Sequence, residues 1–87
     1  MKNFNNTNEN QEQVEVMALF GYEMTPCQPL SFRRRGEREG TNVSELLSTK
    51  IRFVGNTAMH IFDVVAGREN YRLEFNSASL VWTVARR

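Results

Sequence analysis

A chain of 87 residues with 40% hydrophobic side chains and a formal net charge of +1 has room for one domain with one small core, and its overall charge nominates neither nucleic acid nor an acidic surface. One cysteine, Cys27, and one histidine, His60, exclude an intramolecular disulfide and a Cys/His zinc site within these residues. The longest apolar run, Val16 to Phe20, is far too short for a membrane span, and no basic-then-apolar leader opens the sequence, so a cytoplasmic protein with no membrane contact and no cofactor is expected.

Met1 to Gln13 holds five Asn, two Gln and two Glu and, after the initiator, only Phe4 as a sizeable apolar side chain. Such a segment buries too little surface to offset its ordering entropy, which predicts a disordered tail over 1–13 and a single domain over 14–87. From Val14 to Phe20 the side chains Val14, Val16, Ala18 and Phe20 alternate with Glu15, Met17 and Leu19, a strand whose second half is expected to be buried on both faces. Gly21 to Pro29 reads as a connection, because two prolines remove backbone donors. Leu30 and Phe32 resume an inward pattern, and Arg35-Gly36-Glu37-Arg38 reads as a tight reversal of type II′, with Gly40 marking a bulge or extending the loop.

Val43 to Val54 fits two templates. Val43, Leu46, Leu47, Ile51 and Val54 make a helical stripe; Val43, Leu47, Thr49, Ile51 and Phe53 make one face of a long strand interrupted at Glu45. The hairpin before it and its β-branched content favour a long, bent strand, with an α+β fold carrying a helix over 43–54 as the alternative. Gly55-Asn56 then turns the chain into two further hairpins. The turn at Ala66-Gly67-Arg68-Glu69 pairs Val64 with Tyr71, Phe62 with Leu73 and His60 with Phe75, and sets Asp63 beside Arg72 on the other face. A turn at Asn76-Ser77-Ala78-Ser79 would pair Phe75 with Leu80, Leu73 with Trp82 and Tyr71 with Val84. About six strands joined by short turns predict an all-β antiparallel meander curled into a roll or partly open barrel, with a core of Val16, Phe32, Leu47, Phe62, Val64, Leu73, Phe75, Leu80 and Trp82.

Residues that carry chemistry are sparse. His60 is expected on the inner face and Asp63 on the outer, so the two do not meet, and Cys27 has no adjacent group that would lower its pKa. No phosphate-loop, dinucleotide, nucleophile-elbow or calcium-loop pattern is present, and no catalytic residue is assigned. Two groups of residues carry binding content. Arg33, Arg34, Arg35 and Arg38 crowd one short stretch and offer guanidinium groups to phosphates, although Glu37 and Glu39 interleave with them and charged edge strands need no partner. Met59, Ile61 and Val81, with Ala85, form an apolar strip on the face away from the core, a surface for a second copy or another protein. Protein contact or homodimerisation is therefore the expected role, with nucleic-acid association through the arginine cluster as the alternative.

At Met24-Thr25-Pro26, Pro29-Leu30-Ser31-Phe32, Gly36-Glu37-Arg38, His60-Ile61-Phe62-Asp63-Val64, Tyr71-Arg72-Leu73 and Leu80-Val81-Trp82, the chain resembles short uncharacterised bacterial β-rich proteins. The resemblance implies a small antiparallel domain of bacterial origin and transfers no catalytic residue.

Overall fold

The computed structural model describes residues 11–22 and 25–87; residues 1–10, which hold most of the expected tail, lie outside the described residues. Six strands follow one another in sequence order: β1 (Glu12–Tyr22), β2 (Thr25–Arg34), β3 (Thr41–Val54), β4 (Thr57–Ala66), β5 (Glu69–Asn76) and β6 (Val81–Arg86). Each pairs antiparallel with the next, and β6 returns to β1 to close a small all-β barrel. The stretch that fitted both templates is the strand β3. Two register shifts, between Val43 and Glu45 and between Leu46 and Ser48, supply the bend.

Local turn chemistry explains the meander. Gly55 has φ +62° at the first central position of the β3/β4 turn, as a type II′ turn requires. Gly67 and Arg68 both have positive φ, 56° and 73°, the signature of a type I′ turn between β4 and β5. The reversal after β2 differs from the expected II′ form. Glu37 N–H donates to the Arg34 carbonyl at 3.1 Å, so Gly36, with φ +88°, takes the third position of a type II turn. Gly40 serves a close approach instead, since a Cβ there would stand 3.0 Å from the Phe32 carbonyl oxygen.

The β4/β5 register is the expected one, with Val64 opposite Tyr71, Phe62 opposite Leu73, His60 opposite Phe75 and Asp63 opposite Arg72. The β5/β6 register is slipped by two residues: Phe75 faces Trp82, Leu73 faces Val84 and Tyr71 faces Arg86. The cause is a four-residue turn set one residue further along the chain, at Ser77 to Leu80. Asn76 anchors it, its Oδ1 accepting from the backbone of Ala78 at 2.9 Å and of Ser79 at 3.0 Å while its carbonyl accepts from Leu80 N–H at 2.7 Å. A slip of two keeps every side chain on its face, so the core survives except at Leu80, which enters the turn and is 70% exposed.

The core is built from Val14, Cys27, Phe32, Phe62, Val64, Ala66, Tyr71, Leu73, Phe75, Trp82 and Val84, with Val16 packed against it. Phe75 and Trp82 have ring centroids 4.8 Å apart, Phe62 and Trp82 5.8 Å, and Phe32 meets Tyr71 edge-on at 5.2 Å. Leu47, expected in the core, sits in the second bulge of β3 and is exposed.

Closure is confined to one end. β1 pairs with β6 only over Glu12–Val14, and β2 pairs with β3 only through Ser31–Asn42 and Phe32–Thr41. At the other end lie the tips of the β1/β2, β3/β4 and β5/β6 hairpins, as an up-and-down meander demands, and there the strands splay. The second half of β1 is therefore not buried on both sides as its apolar pattern suggests: Met17, Leu19 and Phe20 are exposed. Nor is Gly21 to Pro29 mostly a connection, since β1 runs to Tyr22 and β2 starts at Thr25, with both prolines in the half of β2 that has only β1 as neighbour.

Candidate functional site

The arginine cluster is divided by strand alternation. Arg33 points outward and donates Nε–H to Glu15 Oε1 across the β1/β2 pair at 3.0 Å. Arg34 points inward over the closed end of the barrel, with its guanidinium carbon 5.2 Å from the centroid of the Tyr71 ring. Its Nε is buried without hydrogen-bond geometry and has Glu12 Oε1 as its nearest opposite charge, at 3.5 Å. Arg35 and Arg38 are exposed and make no ion pair among the described residues. Two guanidinium groups of the four, those of Arg35 and Arg38, are thus left without a carboxylate partner among the described residues, and Arg86 at the end of β6 is paired with Glu69.

The apolar strip is divided as well. Ile61 lies on the outer face of β4 between Lys50 of β3 and Glu74 of β5, yet it is only 2% exposed within the single chain. Met59 and Val81 are half-buried, with Asn76 between them in the same cross-strand row. The strip expected to stand free is therefore not accessible at its centre.

The outer face carries a polar constellation that the alternation placed correctly but undervalued. Asp63 receives two hydrogen bonds from Arg72, one from Arg87 at 2.8 Å and one from the Ser48 hydroxyl at 3.1 Å. The Arg72 hydrogen bond is the main reason the Asp63 carboxyl falls to about 2; those of Ser48 and the charge of Arg87 add to it, against a partial burial that raises it. A carboxylate ionised at neutral pH and saturated by its own neighbours is a structural clamp on β3, β4, β5 and the chain just past β6, without a free lone pair for substrate. His60, half-buried on the inner face with its ring 6.1 Å from Phe75, does not meet it. Cys27 is buried opposite Phe20, and burial pushes its thiol up. No group of three His, Cys, Asp or Glu side chains converges on a metal-sized point among the described residues.

What the structure brings together is the splayed end. Phe20 from the tip of β1/β2, Ile51 and Phe53 from the inner face of β3 and Leu80 from the β5/β6 turn are 57%, 49%, 68% and 70% exposed, respectively. The three tips stand at one end of one small barrel. Phe20 packs edge-on against Phe75 at 5.7 Å, so the buried aromatic core runs continuously into the exposed rim. Below Phe20 and Leu80 a cleft of about 560 Å³ follows the line where β1 parts from β6, floored by Phe75 and Trp82. Leu80 holds φ +62°, a left-handed conformation that a bulky side chain rarely adopts. Sequence alternation predicted Leu80 in the core and the end of the first strand, with Phe20, buried on both faces, because it shows which face a residue takes and says nothing of where a barrel stops closing.

No helix among the described residues is long and apolar enough to cross a membrane. Comparison with family models, with curated proteins and with solved structures finds no match to this chain.

Proposed function

We propose that this chain is a small module that acts by protein contact, with no reaction of its own, and that the contact surface is the splayed end of the barrel. The observation that carries the reading is that Phe20 and Leu80, both largely exposed, line one cleft at that end, with Phe53 exposed near the β3/β4 turn at the same end. Large apolar side chains exposed together at one end of a small fold mark interaction surfaces. Leu80 adds a second argument: a leucine that is both left-handed and 70% exposed buries little in the isolated fold, and strain of this kind is retained where the side chain serves another purpose. The arginine cluster supports a phosphate-binding role less well, since Glu15 occupies Arg33 and Tyr71 holds Arg34. The proposed setting is a bacterial cytoplasm; the bacterial origin rests on the resemblance alone, and the cytoplasm on the shortness of the longest apolar run, Val16 to Phe20.

Photo-cross-linking in the native cell tests the reading. A benzophenone amino acid at position 53 is expected to trap a discrete protein adduct, whereas the same group at Arg68, at the closed end, is not. Equal or absent cross-linking at the two positions would remove the splayed end as the contact surface.

A further inference from the structure

Strand β3 offers a more specific partner chemistry. Beyond Asn42 its edge away from β4 has no strand beside it among the described residues, so the stretch from Val43 to Val54 presents unpaired backbone donors and acceptors. The two faces along this edge differ. On the inner face stand Leu46, Ile51 and Phe53, exposed by 37%, 49% and 68%, with Thr49 among them. On the outer face, past Glu45 and Ser48 toward the β3/β4 turn, stand Lys50 and Arg52, opposite Ile61 and Met59, and neither cation has an ion-pair partner among the described residues. An apolar inner row, an unpaired backbone ladder and an outer row of two free cations make a template with a definite complement.

We infer that the β3 edge accepts an extended segment of a partner protein in which apolar and acidic side chains alternate, the apolar ones lying beside Leu46, Ile51 and Phe53 and the acidic ones beside Lys50 and Arg52. A second copy of β3 is the poorer occupant. Pairing two β3 edges antiparallel about Ile51 sets Lys50 of one copy opposite Arg52 of the other, and like charges directly opposite destabilise a ladder. The inference rests on the protein-contact reading above and narrows it to strand addition with acidic selectivity.

The test uses the full chain and two seven-residue peptides, one alternating glutamate with valine and one alternating lysine with valine, titrated at low ionic strength and followed by amide chemical shifts. The glutamate peptide is expected to bind about tenfold more tightly than the lysine peptide, with shifts concentrated between Val43 and Val54. In the double variant Lys50→Glu, Arg52→Glu, both positions being exposed, the preference is expected to reverse. Equal binding of the two peptides, binding of neither, shifts confined to the cleft between β1 and β6, an unreversed preference, or a dimer in sedimentation that the double variant abolishes would each overturn the inference. Cross-linking at position 53 together with failure of both peptides would leave the contact surface standing and remove only its acidic-strand selectivity.

Discussion

Arg72 grips Asp63 with two parallel hydrogen bonds, Nε to Oδ1 at 2.8 Å and Nη2 to Oδ2 at 3.1 Å, across the directly opposed pair of β4 and β5. This bidentate geometry, with Asp63 only 20% exposed, sets the pair apart from the solvent-exposed ion pairs of most protein surfaces. Because Arg87 and Ser48 reach the same carboxylate, one side chain ties together β3, β4, β5 and the chain just past β6.

A carboxyl lowered from 3.8 to about 2 in the folded state stabilises the fold when it is ionised. The contribution is complete above the unfolded value and is lost as pH falls through the folded one. By the size of the shift it is roughly 2 kcal/mol, and about 1 kcal/mol after allowance for solvent screening. Denaturant unfolding of the native chain is expected to show stability falling between pH 4 and pH 2, and Asp63→Asn should lose that amount at pH 7 while flattening the acid limb. An unchanged acid limb in the variant would transfer the effect to other carboxylates.

Two turns predict opposite responses to small substitutions. Leu80→Gly relieves a left-handed leucine that buries little, so it should stabilise by up to about 1 kcal/mol and raise the melting temperature by a few degrees. Gly67→Ala meets both a φ of 56° and the Thr41 methyl 3.3 Å from the new Cβ, and should destabilise by about 1–2 kcal/mol. Thermal melts of the two variants decide the matter, and a drop for Leu80→Gly would show that the side chain supports the monomer.

The contrast between these turns also shows what the sequence could reveal. Gly67 advertises its turn, and with it the whole β4/β5 register, because glycine is the residue a two-residue hairpin demands. Asn76 to Leu80 carries no glycine; its geometry depends on one side-chain amide gathering two backbone donors, which alternation does not encode, and the register was placed two residues away. In β3 the interruption at Glu45 was legible from the alternation, while the second bulge, at Leu47, is silent. The Asp63–Arg72 pair was legible from register, while the splayed end was not, since exposure of Phe20, Ile51 and Phe53 depends on where β1 leaves β6 and β3 leaves β2.

Cys27 gives a local probe of the β1/β2 hairpin. Its thiol is 2% exposed and raised above its ordinary pKa by burial, so less thiolate is present near neutrality and reagents cannot reach it. Reaction with a disulfide reagent at pH 8 is expected to be slower than in urea by more than about tenfold. Rapid native reaction would mean that the splayed half of the hairpin opens from the barrel on the timescale of labelling.

Ile61 and Phe53 distinguish a side chain that holds the monomer from one that waits for a partner. Ile61 faces outward by register but is sealed within the single chain, so Ile61→Glu buries an unpaired charge and should cost about 3 kcal/mol or more, lowering the melting temperature by more than about 10 °C. Phe53 is inward by register but stands in water past the closed part of the barrel. Phe53→Glu should therefore leave the melting temperature within about 2 °C of the native chain while abolishing adducts trapped from the neighbouring position 51. If instead Ile61→Glu melts normally and only shifts a dimer toward monomer, the outer strip is the association surface after all, and the contact must be moved from the splayed end to the outer face of β4.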